Sequence, residues 1–582
     1  MPTLRLPGAA SLLLTLSLTV FGCSAGSGNG GTHGGDAGGA DGREPAGPDA
    51  SGQDVATADA VGQDATQDAG GQDATVPDAS GQDSAPQDAS GQDSTAQDAS
   101  GQDSAAPDAN GPDTSPAPDA AGGAPVAISF DGDHGPGLAV CQSASPPAHC
   151  GLPEMNVAAN GSQVVQITWQ HLSVYDYAGT LLSATPLPAL ITSAGLSASA
   201  QNVIEPHVVY DEFINRWIIT ATCAQDCLLV SASSDATGTW GGAYVDGNGN
   251  DPSIHLGYDK NGVYLEENQP GTNVNASVSN YAGTFFAIPS AELQWVGAFN
   301  PVHKNRVANK PIDGWPAVDQ NTGKLATDPA FFAAKTCPGS STGTGSCQSA
   351  TDDSFEWVIT TVTWSGTTAV YSGDQLVKTG SGGAANAWLF NTPIAAVTQL
   401  GSATQLRPIE SHRLMNASQN GSHLYGALGS GPCTGSCGAQ GVDATNLFFW
   451  FDLDCTNASA CVVSQTGKVS DPTRDLAFPT IGVGSNGNVA IVAAAIGPTT
   501  YPSIEVWTHK TTDPPGAATG PTTVIAGTAP DSCVTSPLIF ANAVGVSTVR
   551  DPADPTKLWT THQYASSAAP CVWATRVMQL AP

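Results

Sequence analysis

The chain has 582 residues, only 12% of them charged, and a formal net charge of −33. An acidic balance of that size argues against nucleic acid as a partner, because binding the phosphate backbone needs clustered Lys and Arg. The charge is shared: residues 24–125 carry 18 acidic side chains against the single Arg43, the rest of the chain after them carries 33 against 16, and Arg5 adds one positive charge at the start.

Residues 1–22 form the first element. Arg5 is followed by an apolar run over 9–20 and then by Val20, Phe21, Gly22 and Cys23. The run is too short to span a bilayer and reads as the hydrophobic region of a signal peptide. A small residue directly before a cysteine resembles a bacterial lipobox, which implies that Cys23 is lipidated and becomes the mature N-terminus. Phe21 departs from the usual small or aliphatic residue there, and plain secretion with cleavage nearby is the other reading. Ser24 after the cysteine, with no aspartate, favours the outer membrane, so the expected location is exported, lipid-anchored and at the cell surface.

Residues 23–125 are of low complexity, with units such as DASGQDSAPQ and DASGQDSTAQ and an Asp every five residues from Asp73 to Asp113. So little apolar surface cannot offset the entropy of ordering the chain, and the segment reads as a disordered tether. A flexible chain of this length spans roughly 50–60 Å end to end, more where its aspartates repel. A calcium-binding repeat would need a glycine-rich nonapeptide instead.

Thirteen cysteines leave one over in an exported protein, and Cys23 accounts for it. Sequence neighbours then suggest disulfides between Cys141 and Cys150, Cys223 and Cys227, Cys337 and Cys347, Cys433 and Cys437, and Cys455 and Cys461, with Cys533 and Cys571 clipping the C-terminal region, all in an oxidising compartment. The short gaps at 223–227 and 433–437 also suit metal ligands, but no half-site with a nearby His completes either.

From Val126 onward the composition turns to β-branched and aromatic runs between Gly, Asn and Asp turns, without a long amphipathic helix. This predicts an all-β domain over 126–582. One pattern recurs: an apolar strand, a polar turn and a second apolar strand. It is clearest in PHVVYDEFINRWIITAT from Pro206, and copies start at Pro153, Pro252, Pro316, Ser411, Pro479 and Val544. Seven copies predict one seven-bladed β-propeller, in which each four-stranded blade needs one such hairpin. Six or eight blades, or two β-sandwiches, are the alternatives.

The segments MNVAANGSQVVQITW, EPHVVYDEFINRWIITATC, SSDATGTW and DPADPTKLWTTHQY resemble secreted bacterial β-propellers with Asp-box (BNR-like) repeats. In the stretch 233–240, Asp235 would tie down a turn and Trp240 would pack between strands, although Gly238 sits one place late. The resemblance implies blade-building motifs and no particular activity.

In a propeller, residues just before the innermost strands converge at one mouth of the central channel. Those residues are Glu205, His207, Asp251, His255, Asp313, Trp315, Glu410, His412, Asp475 and Phe478. Their carboxylates and imidazoles could hold Ca²⁺ or another divalent cation, or a polar ligand. Turn formation by Asp and Glu before Pro is the simpler account. Sialidase-like hydrolysis would need three convergent arginines with a tyrosine nucleophile and an acid; the domain offers Arg407, Arg413 and Arg474 from a total of seven. No H-E-x-x-H helix or P-loop is present, and no G-x-S-x-G or G-x-G-x-x-G follows a strand and opens a helix. Trp169, Trp217, Trp364, Trp507 and Trp559 are expected on strands, packing between blades, while Trp240, Trp295 and Trp315, near turns, could form a sugar or peptide platform. The expected function is therefore an extracellular binding module, monomeric, for a glycan, a protein or a cation, with a glycoside hydrolase on the same scaffold as the alternative.

Overall fold

The computed structural model describes residues 125–135, 153–197, 203–223, 225–245, 254–268, 283–294, 301–310, 314–336, 356–378, 394–403, 405–406, 408, 414–432, 443–532, 547–569 and 572–582. Its strands form seven separate antiparallel sheets, each one blade of a β-propeller.

After β1 (Val126–His134), blade 1 holds β2 (Asn156–Ala159), β3 (Gln163–Ile167), β4 (His171–Asp176) and β5 (Leu181–Pro186). After a short helix α1 (Leu187–Ser193), blade 2 follows with β6 (Ile204–Asp211), β7 (Arg216–Thr222), β8 (Asp226–Ser231) and β9 (Trp240–Tyr244). Blade 3 is β10 (Ile254–Tyr258), β11 (Gly262–Asn268), β12 (Gly283–Pro289) and β13 (Asn305–Lys310). Blade 4 is β14 (Trp315–Pro316), β15 (Ala330–Thr336) and β16 (Glu356–Ser365), with β17 (Thr368–Tyr371) and β18 (Gln375–Lys378) sharing the outer edge of β16. Blade 5 is β19 (Leu414–Asn420), β20 (His423–Ser430), β21 (Leu447–Asp454) and β22 (Val462–Val469). Blade 6 is β23 (Asp475–Val483), β24 (Val489–Gly497), β25 (Thr500–His509) and β26 (Thr519–Ile525).

Blade 7 is assembled from both ends of the domain. Its inner strands β27 (Thr548–Asp551), β28 (Asp554–Tyr564) and β29 (Ala574–Leu580) are completed on the outside by β1 (Val126–His134). β1 runs antiparallel to β29, pairing Val126 with Leu580 and His134 with Ala574. The ring is thus closed by hydrogen bonds between residues more than 430 positions apart, and the edge of β29 is covered by β1. Arg576 reinforces the seam by donating to Asp131 at 2.9 Å.

All seven sequence repeats correspond to the inner two strands of a blade, the weak copy from Ser411 included. A single residue type explains much of the repeat. The Asp or Asn ending an inner strand accepts backbone N–H groups of the following turn: Asn160 from Ser162 and Gln163, Asp211 from Phe213 and Ile214, Asp259 from Asn261 and Gly262, and Asp551 from Ala553. Such side chains substitute for backbone partners where a tight turn offers none.

Inner strands are buried along nearly their whole length because both faces of each blade pack on a neighbour. Seven apolar clusters fill the seven inter-blade gaps. Trp217, Trp364, Trp507 and Trp559 each sit in one of them, as expected. Trp169 does not lie on a strand; it occupies the bend between β3 and β4. Trp240 is buried on β9 and donates to Ala236 O at 3.1 Å, so it presents no platform. Asp235 accepts from Thr237 N–H and Oγ1 and from Gln163 of the neighbouring blade. Two disulfides are described, Cys223 to Cys227 across the β7–β8 turn and Cys455 to Cys461 after β21. The other proposed cysteine pairs, Trp295 and Cys23 lie outside the described residues.

Candidate functional site: the propeller axis

Inner strands all run in one direction around the axis, so one face of the disc, here the upper, is where they begin. Between the described strands, seven connections on that face have 14 or more residues, the longest being the 35 of 379–413. On the lower face only the 15 residues of 290–304 reach that length.

At the level where the inner strands enter, three backbones share one distortion. Glu154, Glu205 and Phe478 take positive φ angles of 43°, 47° and 54°. Each stands two residues before an inner-strand polar side chain: Asn156, His207 and Thr480. In β6 and β23 the ladder slips by a residue at this point. Left-handed backbone is costly for residues with a Cβ and persists where surrounding contacts over-determine it. Here the kink turns the next polar side chain into a belt around the axis.

That belt is stitched from blade to blade. Asn156 Oδ1 accepts from Val208 N–H of blade 2 at 3.3 Å. Asn416 of blade 5 both accepts from Ile481 N–H (3.0 Å) and donates to Ile481 O (2.7 Å) in blade 6. Ser547 Oγ, ahead of β27, does the same for Val157 N–H and O, joining blade 7 to blade 1. In each case the partner lies one residue beyond the equivalent position of the next inner strand. Thr480, Thr548 and Thr560 continue the belt through their hydroxyls.

Of the expected channel residues, the structure brings three together. His255 stacks on Trp315 with centroids 4.0 Å apart, and His207 meets both edge-on at 5.9 and 5.4 Å. His255 Nδ1 is 2.9 Å from Glu266. Burial, assisted by neighbouring His255, holds His207 well below the usual imidazole range, so it is neutral at physiological pH. Glu205 is buried and donates its backbone N–H to Glu154. Asp475 is elsewhere, accepting from Asn446 N–H. Phe478 joins Met155, Met415, Val397 and Leu406 in an apolar cap above the belt. Asp251, Asp313, Glu410 and His412 lie outside the described residues. Among the described residues no three His, Cys, Asp or Glu side chains are grouped to hold a metal ion.

The lower end of the axis is closed by Arg550, a residue that the sequence reading only counted. Its guanidinium donates to Val483 O (2.8 Å) and Gln419 O (3.0 Å), and its backbone N–H donates to Gln320 Oε1 (3.0 Å). Tyr258 donates to Glu212 at 2.7 Å in the same region. Burial lowers the Arg550 pKa from its ordinary value while Asp319 and Glu212 oppose that, and desolvation raises Glu212. An arginine directly before the turn aspartate of the last repeat was the available signal.

Arg474 is already held by two carboxylates: it donates to Asp471 from Nε and Nη2, at 2.9 and 2.7 Å, and to Glu505 from Nη1. Arg407 and Arg413 lie outside the described residues.

No protein-family model matches this chain, and no curated protein matches it. Among solved structures it is similar to hydrazine synthase of Kuenenia stuttgartiensis (7% identity, TM-score 0.32, covering 70% of this chain and 92% of that one). It is also similar to extracellular domains 1-2 of Drosophila semaphorin 1b (6% identity, TM-score 0.36, 78% and 86%) and to an apocarotenoid oxygenase of Synechocystis (8% identity, TM-score 0.31, 64% and 74%).

Proposed function

We propose that the chain is a cell-surface lipoprotein whose propeller is an extracellular binding module for a glycan or protein ligand, engaged through the upper face. Cys23 carries the lipid, residues 24–125 are the tether, and the stretch 233–240 is an Asp-box-like blade element. The observation that carries the reading is the asymmetry of the two faces. Long connections, where binding residues concentrate on rigid scaffolds, belong almost entirely to the upper face. β1 begins at the lower face, where Val126 pairs with Leu580, opposite the face that the long connections join. Arg550 closes the axis from below and the apolar cap closes it from above, so the ligand is engaged by the upper connections and not through the axis. Arg474, one of the three arginines that a sialidase-like reading would use, is engaged by Asp471 and Glu505.

The test is a glycan and extracellular-protein binding screen with the Cys23→Ser secreted chain, followed by hydrogen exchange of the complex. Protection is expected in the upper connections; protection confined to the lower turns, or turnover of a glycoside substrate, would overturn the proposal. Radiolabelled fatty acid should enter the wild-type chain and not Cys23→Ser, and an unlabelled wild type would remove the anchor.

A further inference from the structure

Just below the belt the axis holds a small cavity lined by residues of six inner strands or their immediate entries, among them Asn156, His207, Trp315, Asn416, Ser547 and Thr548. It offers about 20 Å³ to the centre of a water-sized molecule, where ~10–15 Å³ suffices for one water. His207, 1% exposed, lines this space, and its Nε2 has no hydrogen-bond partner among the described residues.

The belt determines what His207 presents there. Asn156 Oδ1 is committed to Val208 N–H, which orients the amide so that Nδ2 faces His207 Nδ1 at 3.3 Å. An amide N–H₂ can only donate, so Nδ1 must be the acceptor and the ring proton must sit on Nε2. The cavity is therefore offered an N–H donor, and a metal ion would meet a proton where it needs a lone pair.

The remaining polar walls are richer in acceptors. Asn416 has one Nδ2 hydrogen on Ile481 O and keeps the other, and its Oδ1, with one lone pair used by Ile481 N–H, keeps a second. Ser547 spends its only hydrogen on Val157 O and keeps spare accepting capacity on Oγ. Thr548 spends its hydrogen on Thr560. An occupant must accept from one side and donate to the other, within the volume of a single small molecule. A halide would face the lone pairs of Ser547, Thr548 and Asn416 Oδ1, and a cation would face the His207 N–H.

We infer that the axial cavity is a built site for one neutral, water-sized molecule that accepts from His207 Nε2–H and donates to Asn416 Oδ1 or Ser547 Oγ, namely a structural water joining blades 2, 5 and 7. Bridging of this kind completes the belt between blades whose stitches do not reach each other directly, and such waters are integral to a fold.

A crystal structure of the Cys23→Ser secreted chain tests the inference, with separate bromide and Mn²⁺ soaks read by anomalous scattering. The expected result is a solvent peak about 2.7–3.2 Å from His207 Nε2 and from Asn416 Oδ1 or Ser547 Oγ, unchanged by either soak. A bromide or manganese peak in the cavity, or a cavity without density, overturns it. Nitrogen-15 NMR of the histidines is an independent check: His207 should be the Nε2–H tautomer and stay neutral at pH 6.5. A deprotonated Nε2 overturns the inference even if the fold is intact.

Discussion

Asp211 shows how a blade-building residue carries an electrostatic cost. Its Oδ1 caps the β6–β7 turn, while Oδ2 is buried without a partner. Burial, with Glu212 nearby, pushes its pKa up to about 7. A carboxyl raised in the folded state stabilises fully below its unfolded value near 3.8, and that contribution is lost as pH rises through the folded value. Asp211→Asn keeps the capping oxygen and removes the charge, so it should be more stable than wild type at pH 8 by roughly 1–3 kcal/mol. The gap should close below about pH 4, as measured by urea unfolding at both pH values; a variant weaker at pH 8 would show that the charge is compensated. At this scale the sequence was partly legible. His207, His255 and Trp315 could be placed near one another because the repeat fixes their phase in successive inner strands. Asn156, Asn416 and Ser547 could not, because their role depends on which backbone atom of the next blade they face, and no residue pattern records that.

The stitches and the seam are properties of elements. Asn416→Ala leaves Ile481 N–H and C=O buried without partners, a loss of about 1–3 kcal/mol. The same substitution at exposed Asn457 should cost far less, so equal denaturant midpoints for the two variants would contradict the role given to the stitch. The upper end of β1 has its own tie, Asp133, which accepts from Thr168 Oγ1 at 2.6 Å and lies 3.1 Å from His171 Nδ1 in blade 1. The hydrogen bond to Asp133 raises His171 above 6.5, with burial acting against it. The tie is thus fully present below about pH 6.5 and fades as pH rises through the higher folded value. Wild type should exceed His171→Gln in stability at pH 6, and the difference should shrink by pH 9; a constant difference would assign the effect to packing. Elements were the most legible level for the inner hairpins, whose turns repeat an Asp or Asn cap. The outer strands were less so, since β5 and β26 face solvent and carry little apolar pattern.

For the whole molecule, blade number followed from counting hairpins, but closure did not. Residues 126–134 match no repeat, because β1 belongs to a hairpin whose other half lies at the far end of the chain. Removing residues 126–134 should expose the edge of β29 and abolish cooperative unfolding, seen as a broadened thermal transition and association on gel filtration. Adding the missing strand as a peptide should restore monomer; a sharply melting monomer without it would deny β1 its closing role. The upper connections were legible only as lengths, since function there depends on loops that the repeat does not govern.

The direction of β1 has a mechanical consequence. A ligand held on the upper face and a membrane anchor pulling from the tether would load this strand from its Val126 end, along its own length. All the rungs between β1 and β29 would then share the force in shear, where a pull at the His134 end from the same side would unzip them one at a time. The seam joining the two ends of the domain is oriented to resist the load that surface attachment would place on it.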